Sequence, residues 1–195
     1  MPGEQAPLIE GYTVADLEAE EFEEIFRSHR KEVFAETIDL FPERYLSDEE
    51  KARIEGLRAR MGEPFRLRLG IYQEDRLAGW FTGVQSDAGR FYMANTGIFK
   101  EHQGRGIYKA LLPRILDRVR AEGFQIAWSR HTATNNRVIV PKLKAGFLIT
   151  GFELSDVFGL LVHLSYFMNP MRRRILDYRS GQCAPDAELR KLLGF

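Results

Sequence analysis

The order of predicted elements indicates an α+β protein in which helices flank a mixed, mostly antiparallel sheet of about seven strands. Three strand-like segments between residues 65 and 99 are joined by short turns, which is typical of an antiparallel meander. A helical segment over residues 104–122 follows, so the apolar segment 124–130 is expected to run parallel to the strand before the helix. Two later segments, 147–154 and 159–167, are predicted to pair as a hairpin.

The first 61 residues predict one short strand and two helices. Residues 8–14 have strand-like composition with a glycine kink. Asp16 is a candidate N-cap, and apolar residues at near-helical spacing predict a helix from there to about Phe34. Residues 47–50 (Ser-Asp-Glu-Glu) form a capping box, which predicts a second helix to about Met61.

Length and composition bound the class of protein. With 195 residues, 44% hydrophobic and 29% charged, the chain is expected to form one globular domain over residues 1–168 and a C-terminal helical tail over 169–195, packed on that domain or extending it. The single cysteine, Cys183, excludes an internal disulfide and a cysteine metal cluster. Neither a signal peptide nor a membrane-spanning run is recognisable, so we expect a cytoplasmic protein without a membrane partner.

The formal net charge is zero, but the charges are unevenly distributed. Residues 1–60 hold 16 acidic and 8 basic side chains, and residues 101–195 hold 15 basic and 8 acidic ones. A polyanionic ligand would prefer the second region, and a cationic one the first. The three arginines at 172–174 lack interleaved aromatic residues, which favours a solvated helix face over a nucleic-acid interface.

A glycine-containing loop joins the uncharged strand over residues 92–99 to the helix that follows it. The first N–H groups of a helix lack partners and lie at the positive end of its dipole. Gly104 and Gly106 would let a phosphate approach the backbone, and Arg105 and Lys109 add positive charge. The same spacing also fits an ordinary strand-to-helix turn. It fits neither a Walker loop nor the Rossmann fingerprint.

Two motifs here resemble those of the GCN5-related N-acetyltransferase family. Gln103 and Gly106 match the first and fourth positions of its acyl-CoA-binding motif, Arg/Gln-x-x-Gly-x-Gly/Ala, whose last position is Tyr108 here. Downstream, residues 135–137 (Asn-Asn-Arg) and 144–147 (Lys-Ala-Gly-Phe) resemble the family's Asn-x-Arg and Lys-x-Gly-Phe sequences. The two motifs occur in the family's order.

The resemblance covers roughly residues 65–167 and implies an α/β/α sandwich, splayed between the strands before and after the central helix. Acetyl-CoA would lie with its pantetheine arm in that gap, paired with backbone around residues 96–100, and with its pyrophosphate on the loop. No metal is implied, and no metal-ligand spacing is present. The implied cofactor-binding residues are Gly97, Ile98, Gln103, Gly104, Arg105, Gly106, Ile107, Tyr108, Lys109, Asn135 and Asn136.

The resemblance further implies direct transfer of an acetyl group from the thioester to an amine of a small-molecule or peptide acceptor. The amine must be neutral to attack, and the developing oxyanion needs an N–H donor, for which Ile98 and Phe99 are candidates. His131 is a candidate base, because it follows the strand bordering the cleft and imidazole titrates near neutrality. Further candidates are Asn95, Glu101 and Glu153.

The family's usual acid for the leaving thiolate is a tyrosine one turn before the Lys-x-Gly-Phe sequence, and this chain has Lys142 there. Tyr166 or Tyr108 could replace it. The substitution also keeps open a second function, a catalytically weak or inactive acyl-CoA-binding or regulatory module. Transfer of a longer acyl group is a third alternative, and no residue in the sequence supports it.

The sequence does not identify the acceptor. The acidic first 60 residues favour a cation such as a polyamine, an aminoglycoside or lysine. A homodimer is a further expectation, since the apolar strand 159–167 and the C-terminal helices could pair with a second copy of the chain.

Overall fold

The structure, a computed structural model, describes residues 5–34 and 46–194, and its elements confirm the predicted α+β class. In chain order they are β1 (Ala6–Ile9), β2 (Tyr12–Asp16), α1 (Ala19–Val33), α2 (Asp48–Ala59), β3 (Arg66–Gln73), β4 (Arg76–Asp87), β5 (Arg90–Ile98), α3 (Ile107–Ala121), β6 (Ile126–Thr132), α4 (Asn136–Lys144), β7 (Leu148–Ser155), β8 (Gly159–Phe167), α5 (Pro170–Arg179) and α6 (Ala187–Leu193).

The strands form one mixed sheet in the order β1-β2-β3-β4-β5-β6-β8-β7. Every neighbouring pair is antiparallel except β5 and β6, as the predicted meander, crossover and hairpin require. The sheet has eight strands instead of about seven, because the segment predicted as one kinked strand over residues 8–14 is divided between β1 and β2. A turn at residues 10–11 folds these two strands back on each other as a hairpin.

The parallel pair splays apart, as the family resemblance implied. β5 and β6 pair only from Arg90↔Ile126 to Tyr92↔Trp128. Beyond that point β5 stays paired with β4 as far as Ile98, and β6 stays paired with β8 as far as Thr132. The two strands therefore enclose a wedge, bounded by residues 93–98 on one side and 129–132 on the other, which we call the β5–β6 gap.

Apolar side chains pack on both faces of the sheet and give the molecule three layers. The larger core joins the sheet to α3 and α4 through side chains that include Phe91, Leu111 and Ile139. A smaller core joins it to α1 through Phe22 and Trp80. Helix α3 begins at Ile107 and not at residue 104, because the loop glycines before it adopt positive φ angles that a right-handed helix cannot continue.

Helix termini differ from the predictions in detail. The N-cap of α1 is Glu18, because Asp16 is the last residue of β2 and its carboxylate pairs with Arg118 at 3.1 Å. The Ser47–Glu50 capping box is confirmed, although α2 ends at Ala59. The expected end of the first helix near Phe34 is one residue beyond its observed end at Val33. The following segment to residue 45 lies outside the described residues.

The C-terminal tail is helical, as the sequence predicted, and contains α5 and α6. The side chain of Asn169 accepts hydrogen bonds at the start of α5, and Asp186 accepts one from the Leu189 amide in α6. Leu189 is buried, and Arg173 donates to the Gly146 carbonyl at 2.8 Å, so both helices are attached to the rest of the chain. The division into a domain over 1–168 and a tail over 169–195 stays a prediction.

The position of β8 corrects the expected dimer contact. β8 lies between β6 and β7, so both of its edges are already paired within the chain. Next to β8, the strand with an outer edge in this sheet is β7, and the homodimer itself stays a prediction. Among the described residues, no helix combines the length and the apolar character needed to cross a membrane.

Candidate active site

The loop before α3 has the geometry of an anion site. Gly104 and Gly106 have φ angles of 77° and 81°, and Gly106 is the N-cap of the helix. The first helical hydrogen bond runs from the Ala110 amide to the Gly106 carbonyl, so the N–H groups of residues 107–109 precede it. The side chains of Arg105 and Lys109 are exposed. A negatively charged group here would meet backbone donors, the helix dipole and two cations.

Two motif side chains shape this loop from within the chain. Gln103 Nε2 donates to the Ile98 carbonyl at 2.9 Å, which ties the loop to the end of β5. Tyr108 packs against the larger core, and burial raises the pKa of its phenol. The bulky residue at the motif's Gly/Ala position is therefore accommodated in the interior. Its raised pKa also makes Tyr108 a poorer acid than an exposed tyrosine.

The end of β5 presents backbone groups to the β5–β6 gap. The Phe99 amide donates to the Ala78 carbonyl at 3.0 Å, so Phe99 is not a free oxyanion donor and that candidate is wrong. Because backbone groups alternate along a strand, the N–H and C=O of Ile98 face away from β4 and toward the gap. A Cβ on Gly97 would lie 2.4 Å from the Trp80 ring, so Gly97 is also required for packing.

A chain of three polar side chains lies where the β5–β6 gap begins. Lys142 Nζ donates to Ser129 Oγ at 2.6 Å and to Met93 Sδ at 3.6 Å. Ser129 Oγ lies 3.0 Å from His131 Nε2. Lys142 and Ser129 are buried, whereas His131 is only half-buried. A buried amine thus bridges both strands of the gap and connects through a hydroxyl to a partly accessible imidazole.

The sequence of this region matches a known protein family. The sequence matches the model of the Acetyltransferase (GNAT) family over residues 16–147, which is more than half of the chain. The chain belongs to the GNAT acetyltransferase family. The GNAT match includes β5, the loop, α3, β6 and α4, which together form the gap. A comparison with curated protein sequences found no match.

Solved structures share the GNAT fold at low sequence identity. The ribosomal-protein-S18-alanine N-acetyltransferase from Escherichia coli has a TM-score of 0.58 and 16% identity, covering 81% of this chain and 94% of that one. A protein from Salmonella typhimurium, solved with its cofactor acetyl-CoA, has a TM-score of 0.60 and 16% identity, covering 90% of this chain and 98% of that one. The spermidine N-acetyltransferase from Vibrio cholerae, in complex with CoA and spermine, has a TM-score of 0.58 and 15% identity, covering 82% of this chain and 96% of that one.

The candidate base of this GNAT chain lies in a different environment from the expected one. His131 is inside β6, one residue before its end, and not in the loop beyond it. Burial and the nearby charge of Lys142 lower the pKa of its imidazole to about 3. The ring is therefore neutral at physiological pH, and the argument that it titrates near neutrality does not hold. His131 remains a candidate as a neutral hydrogen-bonding group.

The other catalytic candidates lie away from the gap or are already paired. Tyr166 pairs with Ala127, and its ring packs on Phe147. His131 and Ala127 are four residues apart on β6, which corresponds to roughly 13 Å along the strand, so Tyr166 is not near His131. Glu153 accepts from Arg130 at 2.6 Å and pairs with His163 at 2.7 Å, and these hydrogen bonds lower the pKa of its carboxyl.

The remaining predicted residues, Asn135 and Asn136, follow soon after β6 in the sequence, and neither side chain has a described hydrogen bond toward the β5–β6 gap. Asn135 is the N-cap of α4 without a side-chain capping bond, and Asn136 is the exposed first residue of that helix. Their role toward a cofactor stays a prediction. Within the described ranges, no group of three or more His, Cys, Asp or Glu side chains is arranged to hold a metal ion.

Sequence reasoning missed Ser129 and Met93 and did not foresee that Lys142 is buried. Two signals pointed to this cluster. Residues two apart in a strand share a face, which places Ser129 and His131 together. Residues three apart share a helix face, which places Lys142 beside the apolar Ile139 on the buried side of α4.

Proposed function

We propose that this protein is an N-acetyltransferase that moves the acetyl group of acetyl-CoA directly to an amine of a small-molecule or peptide acceptor. The observation that carries the proposal is the continuity of two features. The β5–β6 gap, along which the backbone of β5 is not paired with β6, ends at a loop with the chemistry of a phosphate site. A long ligand with a diphosphate at one end and amide groups along its length matches both.

Acetyl-CoA supplies the activated acetyl group in this proposal, and the chain's own residues would bind and orient it. The pyrophosphate would accept hydrogen bonds from the backbone of residues 104–109. The pantetheine amides would pair with the gap-facing backbone at Ile98. The structural neighbours solved with acetyl-CoA or CoA support this choice of donor.

An amine acceptor is supported by the charge of the N-terminal region. Helix α1 carries six glutamates within and beside it, at positions 18, 20, 21, 23, 24 and 32. This helix packs on the face of the sheet opposite to α3 and α4. A cationic acceptor would be attracted to that face and would approach the gap from the side away from the central helices. The neighbours named for spermidine and for the alanine of ribosomal protein S18 are both N-acetyltransferases, which supports an amine acceptor.

The binding step is tested by thermal unfolding with and without acetyl-CoA, with NADH and ATP as controls. At a hundred times its dissociation constant a ligand stabilises the folded state by about 2.7 kcal/mol. For a chain of this size that is a rise in Tm of roughly 5–10 °C. A shift with acetyl-CoA that neither control reproduces is expected. No shift at saturating acetyl-CoA would overturn the proposal.

The transfer step is tested by release of the CoA thiol with a panel of amines: spermine, an aminoglycoside, lysine and a peptide with a free N-terminal alanine. Amine-dependent release above the acetyl-CoA blank is expected with at least one of them. The acyl-CoA-binding module is the second candidate, because Lys142 replaces the tyrosine that usually acts as acid. It predicts the thermal shift without amine-dependent release.

A further inference from the structure

The beginning of the β5–β6 gap is closed by Lys142. The last parallel pair of the two strands is Tyr92↔Trp128, and the next residue on each strand, Met93 and Ser129, is the one that Lys142 Nζ contacts. The side chain is 1% exposed and Ser129 is fully buried. The amine of Lys142 therefore lies at the closed inner end of the gap, where β5 and β6 separate.

Few groups around Lys142 can balance its charge. Helix α4 supplies Lys142 itself, β5 contributes the thioether of Met93, and β6 contributes Ser129 and the neutral ring of His131. Phe147, which follows α4, places its ring centroid 4.9 Å from Nζ. Within residues 5–34 and 46–194, no carboxylate forms an ion pair with Lys142. Burial consequently lowers the pKa of the amine to about 7, so Lys142 can both hold and release a proton near neutrality.

The hydrogen bonds around Ser129 have a direction. Lys142 donates to Ser129 Oγ, which leaves the hydroxyl hydrogen free to donate to His131 Nε2. The neutral ring then carries its own proton on Nδ1. A proton leaving Nδ1 can thus be replaced by one from Ser129, and that one by a proton from Lys142. At no stage does the imidazole become positively charged.

We propose that Lys142 is the proton store for acetyl transfer and acts through Ser129 and His131, in place of the missing tyrosine. The inference rests on the proposed function. The amine nitrogen attacks the thioester carbonyl, the C–N bond forms, and the C–S bond breaks with its electron pair on sulfur. The Nδ1 proton of His131 passes to the sulfur, the Ser129 proton to Nε2, and a Lys142 proton to Oγ. The proton that the acylated nitrogen loses then passes through water to Nδ1 of His131, the Nε2 proton returns to Oγ, and the Oγ proton returns to Lys142. Each group thereby regains its starting protonation state.

In this scheme His131 is the catalytic residue, because it touches the leaving sulfur, and Lys142 and Ser129 are positioning residues that supply it. Activity requires the ammonium form of Lys142, and that form is lost as pH rises through about 7. Attack requires the neutral form of the acceptor amine, whose ordinary pKa is higher, so its neutral fraction rises over the same range. We therefore expect the kcat of the wild type to rise with pH only up to about 7, above which the two effects offset each other, and the kcat of a variant without Lys142 to keep rising.

The test compares kcat against pH for the wild type, Lys142→Met, Ser129→Ala and the control Lys144→Met, using acetyl-CoA and the panel amine with the highest turnover. Lys144 is on the same helix but exposed. Below pH 7, Lys142→Met and Ser129→Ala are expected to lower kcat by roughly 10²-fold or more and to change the KM for acetyl-CoA less than about threefold. Both variants should also lose the change of slope near pH 7. Lys144→Met should keep the wild-type profile.

Two results would overturn the inference. One is a kcat within about threefold of wild type in both variants. The other is a wild-type change of slope near pH 7 in both variants, which a merely structural role of Lys142 also predicts. Acetyl-CoA-dependent thermal shifts of the variants verify that they fold and bind. If the wild type itself releases no CoA with any amine, the proposed function fails and this inference fails with it. If Lys142→Met and Ser129→Ala retain the turnover of the wild type, the role of Lys142 is contradicted while the proposed function stands.

Discussion

Lys142 should make the stability of this protein depend on pH in a direction unusual for a basic residue. Its folded-state pKa is near 7, below the ordinary 10.5, because the ammonium form is buried. Between these values the unfolded chain binds a proton that the folded chain has released, so stability rises with pH. Below about pH 7 both states hold the proton, and the full cost of the buried charge is present.

The variant Lys142→Met measures this effect, because it replaces the buried ammonium with an apolar chain of similar length. We expect it to be more stable than the wild type near pH 6.5, with an advantage that shrinks by a few kcal/mol toward about pH 10. Urea unfolding of both proteins at the two pH values gives the difference. An equal difference at both would show that Lys142 is not neutral at high pH in the folded protein.

His131 should likewise make the stability of the folded protein depend on pH, in the acid range. Its folded-state pKa of about 3 lies below the ordinary 6.5, so the unfolded chain binds the proton first as pH falls between these values. Stability is therefore lost across that range, and the variant His131→Gln should lose less of it. Acid unfolding, followed by circular dichroism, compares His131→Gln with a second variant, His163→Gln. In the wild type the His163 ring pairs with Glu153 and not with the Lys142 cluster. Equal acid midpoints for His131→Gln and the wild type would contradict this.

For single residues, the sequence identified the chemically important side chains better than it identified the side chains that contact them. His131 and Lys142 were identified as chemically important positions, and both lie at the gap. Their shared partner, Ser129, and the thioether of Met93 were not predicted. Lys142 is 13 residues from Ser129 and 49 from Met93 in the chain, and no local pattern reports the packing that brings them together.

Among the elements, the loop before α3 makes a prediction that separates binding from stability. Gly104 and Gly123, before and after this helix, both have positive φ angles, and a Cβ at either would meet nothing within 4 Å. Alanine at either position should destabilise by a similar 1–2 kcal/mol. Only Gly104→Ala lies against the expected phosphate, so it alone should weaken acetyl-CoA binding, by roughly tenfold or more.

Isothermal titration calorimetry with acetyl-CoA, alongside urea unfolding, measures both quantities for the two variants. Equal affinities in Gly104→Ala and Gly123→Ala would contradict a phosphate site on this loop. Similar losses of stability with unequal losses of affinity would support it.

Elements with strong periodicity were predicted well, and those whose boundaries depend on turns were not. The amphipathic pattern of α3 and the alternation in β3 identified both elements. The pattern could not fix the start of α3, because the residues before Ile107 are as compatible with a helix as with a loop until their φ angles are known. The hairpin of β1 and β2 was missed for a similar reason, since a glycine in a short apolar run fits a kink as well as a turn.

For the molecule as a whole, one residue should decide whether the C-terminal tail is held against the rest of the chain. Leu189 is 2% exposed, whereas Leu192 on the same seven-residue helix is 56% exposed. Leu189→Ala should cost about 2–3 kcal/mol of stability, and Leu192→Ala less than about 0.5 kcal/mol. Urea unfolding of both variants checks this. Equal costs would mean that α6 is not part of the cooperative unit.

In the proposed function, acetyl-CoA lies in the β5–β6 gap with its pyrophosphate on the loop before α3. Amide hydrogen exchange, with and without acetyl-CoA, tests this most directly because it locates the ligand along the chain. We predict slower exchange at Ile98 and across residues 104–109, with no change in the β1–β2 hairpin. Protection elsewhere, with exchange at the gap and the loop unchanged, would contradict the account.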